Sequence, residues 1–145
     1  MFPRLLFVTD GEERVGIYLS KVFNSPIEGL FPNETMPADV YMSIIEFISK
    51  RQSEIKKLKV AANSLTYDNV TKIFDKLRVT DSLEMYVDLS KDPSISFTPK
   101  SISILYFSWI TASHLNAMKH CVAIDLVRTT LSDIDIKHFL ENWNL

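Results

Sequence analysis

The feature that most constrains the fold of this chain is a short layout that occurs three times along it. In each copy an apolar, strand-like segment ends in a bend, and a Leu or Ile followed by Thr or Ser then opens a helical segment. The three junctions are Leu65-Thr66, Ile110-Thr111 and Leu131-Ser132. A strand and helix of this size cannot bury their apolar sides alone, so such units must stack on one another. The layout therefore predicts strand–helix units that share one core.

Two of the copies match the spacing of a leucine-rich repeat, Leu-x-Leu-x-x-Asn-x-Leu, while the middle copy fits it poorly. They read Leu58-x-Val60-x-x-Asn63-x-Leu65 and Ile124-x-Leu126-x-x-Thr129-x-Leu131. In this pattern the Asn or Thr bonds the backbone of the turn, and the last Leu packs under the helix. We predict an α/β fold: a short, irregular leucine-rich-repeat-like stack of mostly parallel strands, with helices on one side and one helix-poor unit. An ordinary α/β sandwich with similar helix caps is the alternative.

Hydrophobic periodicity gives the individual elements. One helix is predicted over 12–23, and a second is predicted to begin at a cap at Asp39 and to end at Arg51. Three more helices are predicted to follow caps at Thr66, Thr111 and Ser132. Strands are predicted over 27–31, 55–60, 83–89, 102–107 and 122–126. The final helix is expected to bury an apolar stripe of Ile136, Phe139, Leu140 and Trp143.

Length and composition indicate one globular domain. The chain has 145 residues, of which 46% are apolar and 23% charged, and this balance favours a packed core over a disordered tract. We expect a single domain over residues 1–145. Residues 1–37 form an N-terminal helix and loop, and residues 38–145 form the strand–helix units.

Charge and cysteine content exclude several classes of partner. A formal charge of -2 and an isoelectric point near 5.9 argue against nucleic acid. The single cysteine, Cys121, excludes an intrachain disulfide framework. The apolar run at the amino terminus is too short for a secretory signal, and the uncharged stretch 101–118 holds seven Ser, Thr, His or Asn residues. We therefore expect no membrane contact and a cytoplasmic or nuclear location.

The residues that could carry chemistry form no convincing site. His120 and Cys121 are adjacent, and neighbouring residues of a strand point to opposite faces, so they are not expected to share a proton. Asp135 and His138 lie three apart on a helix, but no further His or Cys completes a metal site, so we interpret them as a solvated face. The three glycines form no phosphate-binding loop, and no Gly-x-Ser-x-Gly motif is present. The sequence thus predicts no enzyme activity, cofactor or metal.

A protein-binding surface is the stronger candidate, because in a repeat stack the residues that alternate with the core positions form one continuous face. Leu105 and Phe107 beside Tyr86, surrounded by charges, resemble an interface core with a polar rim. Two alternatives remain open: another layer covers these residues, or the register of the strand over 102–107 is shifted by one residue. The predicted protein-binding residues are Lys57, Lys59, Glu84, Tyr86, Asp88, Leu105, Phe107 and Asp125, with Val127 beside them.

Three segments carry a family resemblance. They are residues 44–58 (IIEFISKRQSEIKKL), the pattern Ile110-Thr111-x-x-His114-Leu115-x-x-Met118, and the pattern Leu131-Ser132-x-x-Asp135-Ile136-x-x-Phe139-Leu140-x-x-Trp143. With these segments nearly the whole chain resembles the nematode F-box-associated domain, type 2. The matching positions are mostly core and cap positions, so they bear on the fold more than on a site.

The resemblance implies a function in protein recognition. In that family an F-box docks on Skp1 within a cullin ubiquitin ligase, and this domain selects the protein to be ubiquitylated. No F-box is visible in the present sequence, so Skp1 binding is expected only if an F-box precedes Met1 in the natural product. The resemblance thus implies a non-enzymatic substrate-recognition domain with an unknown target protein. The alternative is an autonomous regulatory or decoy protein that binds the same targets without recruiting a ligase.

Overall fold

A computed structural model describes residues 26–32, 35–105, 109–127 and 131–143, together with the backbone of residues 4–8. The predicted helix over 12–23 and the predicted site residue Phe107 lie outside these residues. In the described part, no helix combines the length and the apolar character that crossing a bilayer requires.

The described strands form one sheet in which every neighbouring pair is parallel. The order of the strands in the sheet is their order in the chain. Right-handed crossovers between successive parallel strands place the described helices that connect them on the same face. The strands are β1 (Arg4–Val8), β2 (Ile27–Pro32), β3 (Glu54–Val60), β4 (Arg78–Met85), β5 (Ser101–Leu105) and β6 (Ala123–Val127).

Three of the four described helices begin where the sequence places their caps, at Thr66, Thr111 and Ser132. Thr66 and Ser132 each accept a hydrogen bond from the backbone three residues on, and the side chain of that later residue accepts the cap's own N–H. The predicted cap at Asp39 is wrong, because Pro37 is the cap of the first helix; Asp39 lies in its first turn, where a negative charge favours the helix dipole. The helices are α1 (Ala38–Arg51), α2 (Tyr67–Lys76), α3 (Ala112–Ala117) and α4 (Asp133–Asn142).

One continuous core lies between the sheet and the helices. Leu58, Leu83 and Ile102 are paired neighbours on β3, β4 and β5, and each is about 1% exposed. They share a core cluster with residues of α1 and α2 such as Ile45 and Ile73, whereas the alternating strand residues are half-buried or exposed. The predicted α/β stack is confirmed.

The connection from β4 to β5 is the predicted helix-poor unit. The strand predicted over 83–89 is shifted, because β4 begins at Arg78 and ends at Met85. The alternating burial continues beyond it, since Val87 and Leu89 are buried although they pair with no strand. Alternation of apolar residues indicates which side of an extended segment is buried. It does not indicate where the hydrogen bonds to the neighbouring strand end. Ile95 and Phe97 join the core in the position that a helix occupies elsewhere.

The stripe predicted to be buried on the final helix is only partly covered. No residue of α4 is fully buried, and Leu140 is 56% exposed. Ile124 and Leu126 of β6 are half-buried, although their partners on β5 are 1% exposed. A groove of about 250 Å³ remains between β6 and α4, lined by Leu115, Ile124, Leu126, Leu131, Ile136, Phe139, Leu140 and Trp143. In the described part of the chain, no further strand follows β6 to cover this side of the stack.

Candidate protein-binding face

The sheet surface opposite the helices, which we name the strand face, is ordered into cross-strand rows by the pairing register. A charged row runs from Lys59 through Glu84 and Ser103 to Asp125, on four successive strands. A small row runs beside it, through Ser82 and Ser101 to Ala123, and begins at Gly29 and Lys57. At the carboxyl ends of the strands, apolar Leu105 pairs with Val127, and Tyr86, the residue after β4, lies on this face beside Lys59.

One hydrogen bond and one register shift fix the position of β3, the strand that carries Lys57 and Lys59. The hydroxyl of Tyr41, a fully buried residue of α1, donates a 2.8 Å hydrogen bond to the carbonyl of Lys59. Burial raises the pKa of the Tyr41 hydroxyl far above its ordinary value, so it stays a donor. A register shift between Ile55 and Lys57 restores the alternation that turns Lys57 and Lys59 away from the core. The core side of the sheet thus determines where these two charges lie.

Gly29 is required where the strand face is most crowded. A Cβ at this position would lie 2.7 Å from the ring of Phe31 and 3.2 Å from the Cβ of Lys57. The Phe31 ring therefore lies across Gly29, on the same face as Lys57. Glycine permits this close approach because it carries no side chain.

The charges of the strand face are not neutralised within the described structure. The Lys59 ammonium lies over the ring of Tyr86, with its Nζ 5.1 Å from the ring centroid. Among the described residues, no ion pair involves Lys57, Lys59, Glu84 or Asp125. The Ser103 hydroxyl donates a 3.4 Å hydrogen bond to Oδ2 of Asp125. Within the described ranges, cations and carboxylates therefore stand side by side without forming ion pairs.

Six of the eight predicted protein-binding residues lie together on the strand face. They are Lys57, Lys59, Glu84, Tyr86, Leu105 and Asp125. Asp88 is exposed in the segment after β4, outside the strand pairing, and Phe107 is not among the described residues. Sequence reasoning missed the small row and Phe31. The alternation that gave Glu84 and Leu105 also gives Ser82, Ser101 and Ser103, but small polar residues carry no chemical signal of their own.

The reasoning that separated His120 from Cys121 is wrong, because both precede β6 and are not strand residues. The Cys121 Sγ donates to the carbonyl of Pro99 at 3.2 Å, and the His120 Nε2 lies 3.1 Å from the same oxygen. The two side chains therefore converge, with 3.8 Å between Sγ and Nε2. Burial raises the pKa of the Cys121 thiol, which keeps it protonated and opposes a role as a nucleophile. The pair fastens the turn before β6 to the segment before β5.

A second polar cluster joins the helix-poor unit to α3. The His114 Nε2 donates to the Asp92 carboxylate at 2.8 Å, and its Nδ1 accepts the N–H of Thr111 at 2.9 Å. The Thr111 hydroxyl is also 2.9 Å from Nδ1. This order of carboxylate, imidazole and hydroxyl resembles a hydrolase triad, but the backbone N–H of Thr111 already occupies the lone pair that a general base needs. The cluster caps α3 and holds the 86–100 segment.

Asp135 and His138 line a groove of about 410 Å³ between α3 and α4. The Asp135 carboxylate accepts the Ser132 N–H at 3.2 Å, so it serves the cap of α4, and His138 is exposed. Within the described ranges, no three His, Cys, Asp or Glu residues are grouped so that they could hold a metal ion.

No protein-family model, no curated protein and no solved structure matches this chain.

Proposed function

We propose that this protein is a non-enzymatic recognition domain that binds another protein on its strand face. The observation that carries the proposal is the continuity of this face over four strands, with no described element on top of it. Its composition supports binding. Tyr86, Leu105 and Val127 offer apolar area beside a charged row, which is the arrangement of an interface core next to a polar rim.

The side of the sheet that carries the helices is a weaker candidate for a binding or catalytic site. Its clefts include one between α3 and α4, one between β6 and α4, and one under the segment that precedes β5. Ser113 and His138 both line the first cleft, but no hydrogen bond joins their side chains among the described contacts, and Asp135 is engaged in the cap of α4. The strand face is also the more rigid support, since on β3, β4 and β5 its residues alternate with buried ones. Side chains held on paired strands lose less conformational entropy on binding than side chains on a loop.

The resemblance to the F-box-associated domain suggests which kind of partner is recognised. On that basis we propose that the bound protein is a target for ubiquitylation, and that the protein acts in the cytoplasm or nucleus. Copurification with Skp1 distinguishes this role from the decoy alternative, in which the target is bound without a ligase.

Site-specific cross-linking tests the proposal. A photoreactive residue is introduced at Leu105 on the strand face or, as the matched control, at Lys72 on the exposed side of α2, in cells that express the full chain. We expect a protein to cross-link from position 105 and not from 72. Once that protein is purified, Tyr86→Ala combined with Leu105→Glu should weaken its binding at least roughly tenfold, because both changes remove apolar interface area. Cross-linking from Lys72 alone, or binding that the double variant leaves unchanged, contradicts the proposal.

A further inference from the structure

This inference rests on the proposed function. The charges of the strand face indicate which charged side chains the partner segment that docks there carries. The geometry points to a partner segment that crosses the strands with an acidic side chain over Lys57 and Lys59 and a basic side chain above Ser103, between Glu84 and Asp125. The occupant is thus a protein segment that carries both charges, in a fixed spacing.

The anionic end of this segment is defined by β3. Lys57 and Lys59 are alternate residues of one strand, so they point to the same face. Neither makes an ion pair among the described residues, and the Lys59 ammonium lies over the Tyr86 ring. A partner carboxylate beside the Lys59 ammonium would leave this cation–π contact in place, and Lys57, two residues earlier on the same face, adds positive charge at this end.

The cationic end is defined by three neighbouring strands. Glu84 pairs in register with Ser103, and Ser103 with Asp125, so each carboxylate is one strand away from the serine. Neighbouring strands are about 4.8 Å apart, which separates the backbones of the two acidic residues by about 10 Å. A guanidinium or ammonium group fits in that interval above the small side chain of Ser103. An arginine suits it best, because its planar fork can donate to both carboxylates.

The adjacent rows indicate how the segment lies. Ser82, Ser101 and Ala123 form a strip of small side chains on which a partner backbone can approach the sheet closely. Leu105 and Val127 bound the charged row on its other side. From Lys59 to Ser103 is two strands, about 10 Å, and an extended chain covers this distance in about three residues. The acidic and basic residues of the partner should therefore be about three positions apart.

A peptide selection with the full chain as bait tests the inference. The probe is a phage-displayed library of random 12-residue peptides, and the binders are then synthesised. We expect enrichment of peptides with an acidic and a basic residue about three positions apart. Binding should weaken roughly tenfold in Glu84→Gln with Asp125→Asn, and equally in Lys57→Gln with Lys59→Gln, since each double variant removes two charges. A control pair on exposed positions of α2, Lys72→Gln with Asp75→Asn, should leave binding unchanged.

The other possible outcomes distinguish a failure of the charge assignment from a failure of the proposed function. Binders that lose affinity with Tyr86→Ala and Leu105→Glu but ignore the charge variants overturn the charge assignment and leave the proposed function standing. A selection that yields no binder, or binders that respond only to the α2 control, overturns both. The charge variants are near-isosteric surface changes, so an unaltered thermal midpoint separates lost binding from lost folding.

Discussion

Helices α2 and α4 have the same length and the same start, and yet they differ completely in burial. Each has ten residues and a capping box, opened by Thr66 in one case and Ser132 in the other. In α2, Val70 and Ile73 are fully buried, whereas α4 has no buried residue. Both helices pack against the preceding helix, α1 in one case and α3 in the other. The difference is that Val70 and Ile73 of α2 join the core cluster with residues of β3 and β4, whereas α4 follows the last described strand of the sheet. A helix signature therefore specifies a helix but not how much stability the helix contributes.

Truncation of one apolar residue in each helix should give the largest difference. We expect Ile73→Ala, at a position that is 0% exposed, to lower the free energy of unfolding by about 3 kcal/mol through lost burial and a cavity. Leu140→Ala, at a position that is 56% exposed, should cost less than about 1 kcal/mol. Urea denaturation of the full chain measures both. Equal losses would show that α4 is as well supported as α2.

Removal of the two caps should give a smaller effect of the same kind. Thr66→Ala and Ser132→Ala each delete the side chain that accepts a backbone N–H, worth about 1 kcal/mol to the helix. In α2 we expect this loss to appear in global stability, because the helix is packed into the core. In α4 we expect local opening instead, with amide exchange of 133–142 faster by roughly fivefold. Hydrogen exchange with mass spectrometry distinguishes the two, and an unaltered exchange rate in α4 after Ser132→Ala would contradict the expectation.

The smallest effect concerns the hydrogen bond between Asp92 of the helix-poor unit and His114 of α3. Burial alone would raise the pKa of Asp92, but hydrogen bonds from His114 and from the Ser94 N–H, with the charge of His114, lower it overall. A carboxylate with a lowered pKa stabilises the fold above its unfolded value of about 3.9, and this stabilisation is lost as the pH falls through the folded value. Since Asp92 is partly exposed, Asp92→Asn should cost no more than about 1 kcal/mol at pH 7.

The pH dependence of stability provides a control for the Asp92→Asn variant. The stability difference between the wild-type chain and Asp92→Asn should shrink as the pH falls below about 4, because the wild-type carboxylate is then protonated as well. Thermal unfolding at a series of pH values between 3 and 7 measures this. A difference that stays constant over the range would show that the charge of Asp92 is not what holds the segment.

Much of the fold could be predicted because the signals are local. The caps at Thr66 and Ser132 were correct, since a capping box depends on residues three positions apart. The strand around Leu58 and Val60 was also correct, because alternation and burial agree there. The strand predicted over 83–89 failed at both ends, since extended residues such as Val87 are buried by tertiary packing without joining the ladder.

The candidate site was predicted in part for a related reason. Alternation against the core positions placed Lys59, Glu84 and Asp125 on one face, and the register then aligned them into a row. The contact of Lys59 with Tyr86 and the role of Ser103 between two carboxylates could not be read from the sequence, because both depend on which residues of different strands become neighbours.

The sequence by itself determined the strand–helix units and the helix starts at Thr66, Thr111 and Ser132, since these follow from periodicity and from caps that depend on neighbouring residues. Tertiary structure decided the registers that order the strand face, the convergence of His120 and Cys121 on Pro99, and the incomplete burial of α4. The physical reason is that periodicity states which side of an element is apolar, whereas contacts between distant segments depend on how the elements align.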